Sequence, residues 1–165
     1  MRILIIIVLI LVIAGVIGYF QAKTVWDKIK FDFAKGFRGI NLSSFNPQEL
    51  LLSGQTKINP ILGIDIINDN SFDIPFKEMK ATVYYNGAVI GETSSDLYGR
   101  TFNVPRHSTL SVTDPINLYL NEAGGRLLLA KIGGGQPELN YQIKVKIQLF
   151  GFLWIPITYK DTFSW

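Results

Sequence analysis

His107 is the only histidine of the chain, and Ser108, Ser111 and Asp114 follow it closely. These residue types make a hydrolytic triad when the imidazole takes a serine proton and the carboxylate orients the imidazole. Here they all fall on one short extended segment, and neither a nucleophile elbow nor an oxyanion-hole motif accompanies them. The expectation is a solvated turn histidine and no catalysis. Asp65, Asp69 and Asp73 recur at intervals that would align carboxylates on a helix, but the segment reads as strand and turn. Asp69, Asn70 and Asp73 would at most gather around a calcium ion in a loop. The simpler reading is an Asx-turn closing the strand. Gly133-Gly134-Gly135 lacks the Lys-Ser/Thr of a phosphate loop. With no cysteine in the chain, disulfides, Cys-ligated zinc and a thiol nucleophile are excluded. No cofactor and no metal are expected. Asn41-Leu42-Ser43 matches a glycosylation acceptor, which matters only in a secretory lumen.

A chain of 165 residues has room for one domain and an accessory segment. It is 48% hydrophobic and 18% charged, a balance that buries a core rather than staying disordered. The apolar excess is concentrated in Ile3–Phe20, which holds no charge, no amide and no hydroxyl except that of Tyr19. As a helix this run spans about 27 Å, close to the hydrocarbon thickness of a bilayer. Arg2 flanks one end. Tyr19, Phe20, Lys23 and Trp26 flank the other, as an aromatic and basic belt at an interface does. A cleaved signal peptide is the competing reading, but it wants small residues where Tyr19-Phe20-Gln21 stand. The expected organisation is a transmembrane anchor over 1–22, a juxtamembrane linker over 23–27 and a folded domain over 28–165. Counting the basic residues between Lys23 and Arg38 would keep the domain in the cytoplasm. The short tail ahead of the span is instead the form of a signal-anchor, and the expectation is a single-pass protein with its domain on the outer side.

The net charge is +3, and without Arg2 and Lys23 the chain keeps 14 basic and 13 acidic residues. A nucleic-acid binder needs a concentrated basic face. The only concentration here lies beside the anchor, where it suits anionic headgroups. Nucleic acid is therefore excluded as a partner.

Past Lys28 the periodicity changes to alternation. Ile29, Phe31 and Phe33 share one parity, and Gly36 and Gly39 break the pattern. Ile40 and Leu42 begin a second strand ended by Asn46-Pro47, and Leu50 to Ile58 suggest a third. Leu62, Ile64 and Ile66 alternate up to Asn68-Asp69-Asn70-Ser71. Ala81, Val83 and Tyr85 lead into Asn86-Gly87, the signal of a type I′ hairpin. Thr101–Val104 and Leu110–Thr113 form short strands, Pro115 to Leu120 is a strand or a transition, and Asn121–Lys131 is a short helix. Tyr141, Ile143, Val145, Ile147 and Leu149 oppose Gln142, Lys144, Lys146 and Gln148, as in a strand with one wet face. Pro156 marks an edge strand. Many short strands with turn signals between them specify an all-β sandwich.

The stretch Ile64-Asp65-Ile66-Ile67-Asn68-Asp69-Asn70, then Ile74-Pro75, then Ala81 to Gly91 with Tyr85-Asn86-Gly87, then Val104-Pro105-Arg106-His107-Ser108-Thr109, is similar to the late embryogenesis abundant type 2 (WHy-type) domain. The likeness covers roughly 28–165. Asp69 stands where that family's Asn-Pro-Asn turn carries proline. The resemblance implies an immunoglobulin-like or fibronectin-III-like β-sandwich of about seven strands with one short helix and no catalytic residues. It also implies a link to stress and desiccation tolerance, often in members tethered by a membrane helix.

Phe150, Phe152 and Trp154 make a candidate apolar contact tip. Phe150 and Phe152 share parity with the wet face of Gln148, and an exposed tip would meet a partner or a membrane. A bulge at Gly151 would instead swap faces and return them to the core, and that is the preferred expectation. The functional expectation is a non-enzymatic, membrane-anchored β-sandwich that binds, protects or builds structure near the bilayer. The alternatives are a minor membrane-bound component of an envelope complex or lipid-containing virion, and a secreted domain after signal cleavage. Expected partners are the lipid bilayer and, beyond it, membrane, envelope or virion proteins.

Overall fold

The computed structural model describes residues 2–40, 52 and 57–165. It opens with helix α1 (Arg2–Trp26). Between Ile7 and Phe20 the described large side chains are exposed on every side of this helix, with no polar stripe. A helix apolar all round has no aqueous face. Its C-terminal end touches the fold, where Ala22, Val25 and Trp26 pack against the core. The helix runs to Trp26, through most of the residues read as a linker.

Among the described residues nine strands follow: β1 (Ile29–Asp32), β2 (Lys57–Ile58), β3 (Ile61–Asn68), β4 (Ile74–Tyr85), β5 (Ala88–Thr93), β6 (Thr101–Val104), β7 (Ser108–Tyr119), β8 (Glu138–Leu149) and β9 (Leu153–Ser164). Short helices interrupt them, among the described residues α2 (Phe33–Arg38), α3 (Ser95–Gly99) and α4 (Glu122–Ile132). The all-β expectation holds, with more strands and more short helices than it named. The strand reading from Ile40 through Asn46-Pro47 and its continuation to Gln55 fall, apart from Ile40 and Leu52, outside the described residues, as does Asn41-Leu42-Ser43.

All pairings are antiparallel, in the order β1-β3-β7-β5-β4-β8-β9, with β2 on β7 and β6 on β4. β7 serves two layers. Ser108 to Pro115 pairs with β3, and Ile116 to Leu118 pairs with β5. Pro115 sits at the switch, where its missing N–H costs no ladder bond, and the neighbouring Ile116 N–H donates to Pro60 O at 2.9 Å. The sheet thus turns over on itself, and the β1–β3 layer packs on β4 and β8. Phe31 meets Phe76 edge-on at 6.3 Å, and the Tyr141 hydroxyl donates to Phe31 O at 3.3 Å across the core. Burial raises the Tyr141 pKa above the ordinary phenol value, so the hydroxyl stays a donor.

The inward parity of β8 is buried throughout, from Tyr141 to Leu149, and β3 buries Leu62, Ile64 and Ile66. Asn86 and Gly87 both take positive φ between β4 and β5, as the type I′ turn requires. β9, with Pro156, lies at the end of the strand order, an edge as expected. One expectation fails locally. Phe33 does not continue β1. The Asp32 side chain accepts the Lys35 N–H at 2.9 Å, caps α2 and turns the chain into a helix. Phe33 and Phe37 then fall one helical turn apart, both fully buried.

α2 lies close on β3 because two glycines meet there. A Cβ on Gly36 would overlap the Gly63 carbonyl, which is backbone and cannot swing aside. Gly36→Ala is expected to lower stability by about 1–3 kcal/mol, read as a shift in the urea midpoint. Gly125→Ala, where a Cβ meets open space, is the control, expected to be neutral or stabilising.

Candidate functional site

The triad residues do not assemble. His107 is exposed in the β6–β7 turn at positive φ, and its backbone N–H donates to Asn70 O at 3.2 Å. Ser108 Oγ donates to Pro105 O at 2.8 Å, and Ser111 Oγ to Asp65 Oδ1 at 2.5 Å. Asp114 is buried, accepting from Ser94 N–H at 2.9 Å and from Arg100 at 2.8 Å. The three aspartates are likewise spoken for separately. Asp65 pairs with Lys35 at 2.8 Å, Asp69 with Lys30 at 3.3 Å, and Asp73 accepts the Arg106 N–H at 2.9 Å. Among the described residues no group of three or more His, Asp or Glu side chains gathers to hold a metal.

The bond from the Lys35 ammonium, then that from Ser111, holds the Asp65 carboxyl below its ordinary pKa. A group depressed in the folded state stabilises above its unfolded pKa, and the contribution is lost as pH falls through the folded value. Asp65→Asn is expected to cost about 0.5–1 kcal/mol at neutral pH. The deficit should close as pH drops through the carboxylate range, below about 4. Denaturant midpoints of both chains across pH would show this; a constant gap would refute it.

The turn after β3 does organise a site. Asn68 Nδ2 donates to Phe72 O at 2.9 Å, Val104 O at 3.0 Å and Pro105 O at 3.1 Å. Its Oδ1 accepts from the Asn70 N–H and from Asn70 Nδ2, both at 3.0 Å. Asn70 Nδ2 also donates to Val25 O at 3.1 Å, satisfying a carbonyl in the last turn of α1. Asp69 N–H donates to Lys28 O at 2.9 Å. The polar turn therefore fastens the apolar helix to the sheet. Trp26, expected in an interfacial belt, packs 5.9 Å from Phe31 and 6.3 Å from Tyr159. Lys23 pairs with Asp27 at 3.1 Å, while Tyr19 and Phe20 are exposed.

The β8–β9 turn lies beside this joint. Phe150 and Gly151 both have positive φ, which makes a tight reversal rather than a face-swapping bulge. Phe150 and Phe152 are consequently 62% and 76% exposed, and Leu153 is exposed with them, so the preferred return to the core does not occur. Trp154 leaves the tip and lies on the outer sheet face, with Lys77 Nζ 4.1 Å from its ring centroid. Phe163 and Trp165, in the same aromatic-rich closing segment, are buried. Between α1 and the tip runs a cavity of about 780 Å³, walled by Phe20, Val25, Phe72, Pro75, Leu149 and Phe150.

The family model described as late embryogenesis abundant protein, type 2, matches residues 64–161. The chain belongs to this family. Two solved structures are similar over 67% of the chain. One is a crystal structure of an Archaeoglobus fulgidus protein, at 13% identity, TM-score 0.40 and 86% of that chain. The other is a solution structure of an Arabidopsis thaliana protein, at 18% identity, TM-score 0.37 and 72% of that chain. No curated protein matches. The late embryogenesis abundant match begins inside β3, so α1, β1 and α2 lie outside it, while the Asn68–Asn70 turn and the Asn86-Gly87 hairpin lie within.

Sequence reasoning missed the joint and the cavity. The signal for the joint was present, because Asn68 shares parity with the buried Leu62, Ile64 and Ile66. In the same way Asp114 shares parity with Val112, Ile116 and Leu118. A polar residue at an inward position must find partners. The cavity had no such signal, since its walls come from α1, the β3–β4 turn and the β8–β9 turn.

Proposed function

We propose that this late embryogenesis abundant protein is a non-enzymatic β module tethered to a membrane by α1, with its domain on the outer side. There it binds or protects components at the bilayer surface, and the Phe150–Phe152 tip makes a second contact with that bilayer. The carrying observation is that Phe20 and Phe150 line one cavity. The tip therefore stands level with the end of the apolar run, where an interface would lie. The stretch Leu9–Trp26 has the length and hydropathy of a span, and its large side chains from Leu9 to Phe20 are exposed. The family's protective character supports a module that acts by binding rather than turnover.

The chain has no cysteine, so Phe152→Cys and Ala88→Cys each create one labelling site. Ala88 follows the β4–β5 turn, at the other end of β4 from the β8–β9 tip. With the full chain in vesicles, a nitroxide at 152 should be relaxed by oxygen and shielded from an aqueous nickel chelate. A label at 88 should show the reverse. Equal aqueous access at both positions would remove the tip contact, and extraction of the chain by alkaline carbonate would remove the tether. Protease access to the domain from outside intact cells tests the side.

A further inference from the structure

We propose that the cavity between α1 and the β8–β9 tip is a binding site for one phospholipid drawn from the bilayer. The acyl chain lies along the apolar wall and the phosphate meets Lys28. This rests on the membrane reading above and adds to it a specific ligand. The cavity, at about 780 Å³, has the size of small-molecule sites, which are apolar with a few placed polar groups. Its walls are apolar, yet Phe72 and Phe150 remain exposed beside it. An apolar surface left open at a membrane boundary is covered most favourably by hydrocarbon.

The route in is built into α1. Ile13, Ile17, Phe20 and Thr24 recur at the spacing of one helix face, and Phe20 and Thr24 line the cavity. The same face therefore runs from the hydrocarbon region into the cleft, and a chain sliding along it never leaves apolar contact. Lys28, in the turn just past the end of α1, also lines the cleft. It is exposed, and among the described residues it forms no ion pair. An uncompensated ammonium at the polar end of an apolar cleft matches a lipid phosphate. Among the described lining residues the one carboxylate, that of Asp73, already accepts the Arg106 N–H at 2.9 Å. The Asn68–Asn70 knot holds the two walls together, so the cleft persists without a ligand.

The test uses the full chain in nanodiscs containing a phospholipid with a photoactivatable diazirine on its acyl chain, with labelled peptides mapped by mass spectrometry. Labels are expected along α1 and at the bilayer-facing tip, Leu149–Gly151, and, separately, in the cleft at Phe72–Pro75. Ser71→Trp, at an exposed lining position, should fill the cleft and remove the labels at Phe72–Pro75 while leaving those on α1 and on the bilayer-facing tip. Lys28→Gln, which disturbs no buried contact, should reduce the cleft labels about fivefold. Labels on α1, with or without the tip, but none at Phe72–Pro75 would overturn the lipid site and leave the tether standing. Labels nowhere would overturn both. Cleft labels indifferent to both substitutions would show non-specific contact and overturn the assignment.

Discussion

Phe33→Ala is expected to destabilise the domain by about 3–5 kcal/mol, a large share of the stability of an ordinary domain. Phe33 is fully buried. Its ring stacks on Tyr141 at 4.8 Å and 15°, lies 5.9 Å from Phe37 and meets Phe163 edge-on at 6.2 Å. Phe37 in turn meets Trp165 at 5.0 Å. The ring is thus the centre of a cluster that joins α2 to β8 and β9. Truncation removes its apolar area from the core and leaves a void that stacked rings cannot close, since aromatic packing is rigid and directional. Tyr141 loses its stacking partner, and the hydroxyl bond to Phe31 O weakens with it. Urea unfolding in detergent micelles, followed by near-ultraviolet circular dichroism, would measure the loss. A change below about 1 kcal/mol, the scale of a typical surface substitution, would mean the cluster does not hold α2 down.

Asn68→Ala is expected to cost nearly as much, about 3–4 kcal/mol, although it removes only an amide. Three carbonyls and two N–H donors converge on that side chain at 2.9 to 3.1 Å. Deleting it leaves several of them buried without partners, and each such group costs more than a hydrogen bond yields. Asn68→Asp is the sharper variant. It keeps the shape but sets a carboxylate against the carbonyls of Phe72, Val104 and Pro105, so it should be at least as destabilising at neutral pH. Its deficit relative to Asn68→Ala should shrink as the acid protonates. Because Asn70 holds both Asn68 and Val25 O, amide exchange at His107 and around the α1 joint should quicken in both variants. Unchanged exchange there would mean that the helix is held by packing alone.

Much of the fold was legible in the residues. β8 and β3 were read from their alternation, the β4–β5 hairpin from Asn86-Gly87, α4 from the segment after Asn121, and the edge character of β9 from Pro156. Each is a local rule in which side-chain type and period decide the backbone. The failures share a cause. Phe33 has strand parity with Phe31, and only the Asp32 cap, together with the close approach of Gly36 to Gly63, turns the chain into α2. Phe150 and Phe152 have a parity that Gly151 could preserve or invert. The observed turn preserves their exposure because both Phe150 and Gly151 adopt positive φ.

The apolar helix, the all-β pattern and the family's turn motifs follow from the residues alone, since these depend on composition and on neighbours a few residues apart. What the motif turn holds together emerges from contacts across the fold. Asn68 and Asn70 became a buried fastening because β3, β6 and the end of α1 converge on them. The cavity beside them exists because three segments distant in sequence meet at one end of the sheet. Contacts between distant segments leave no period in the chain, so no local reading can find them.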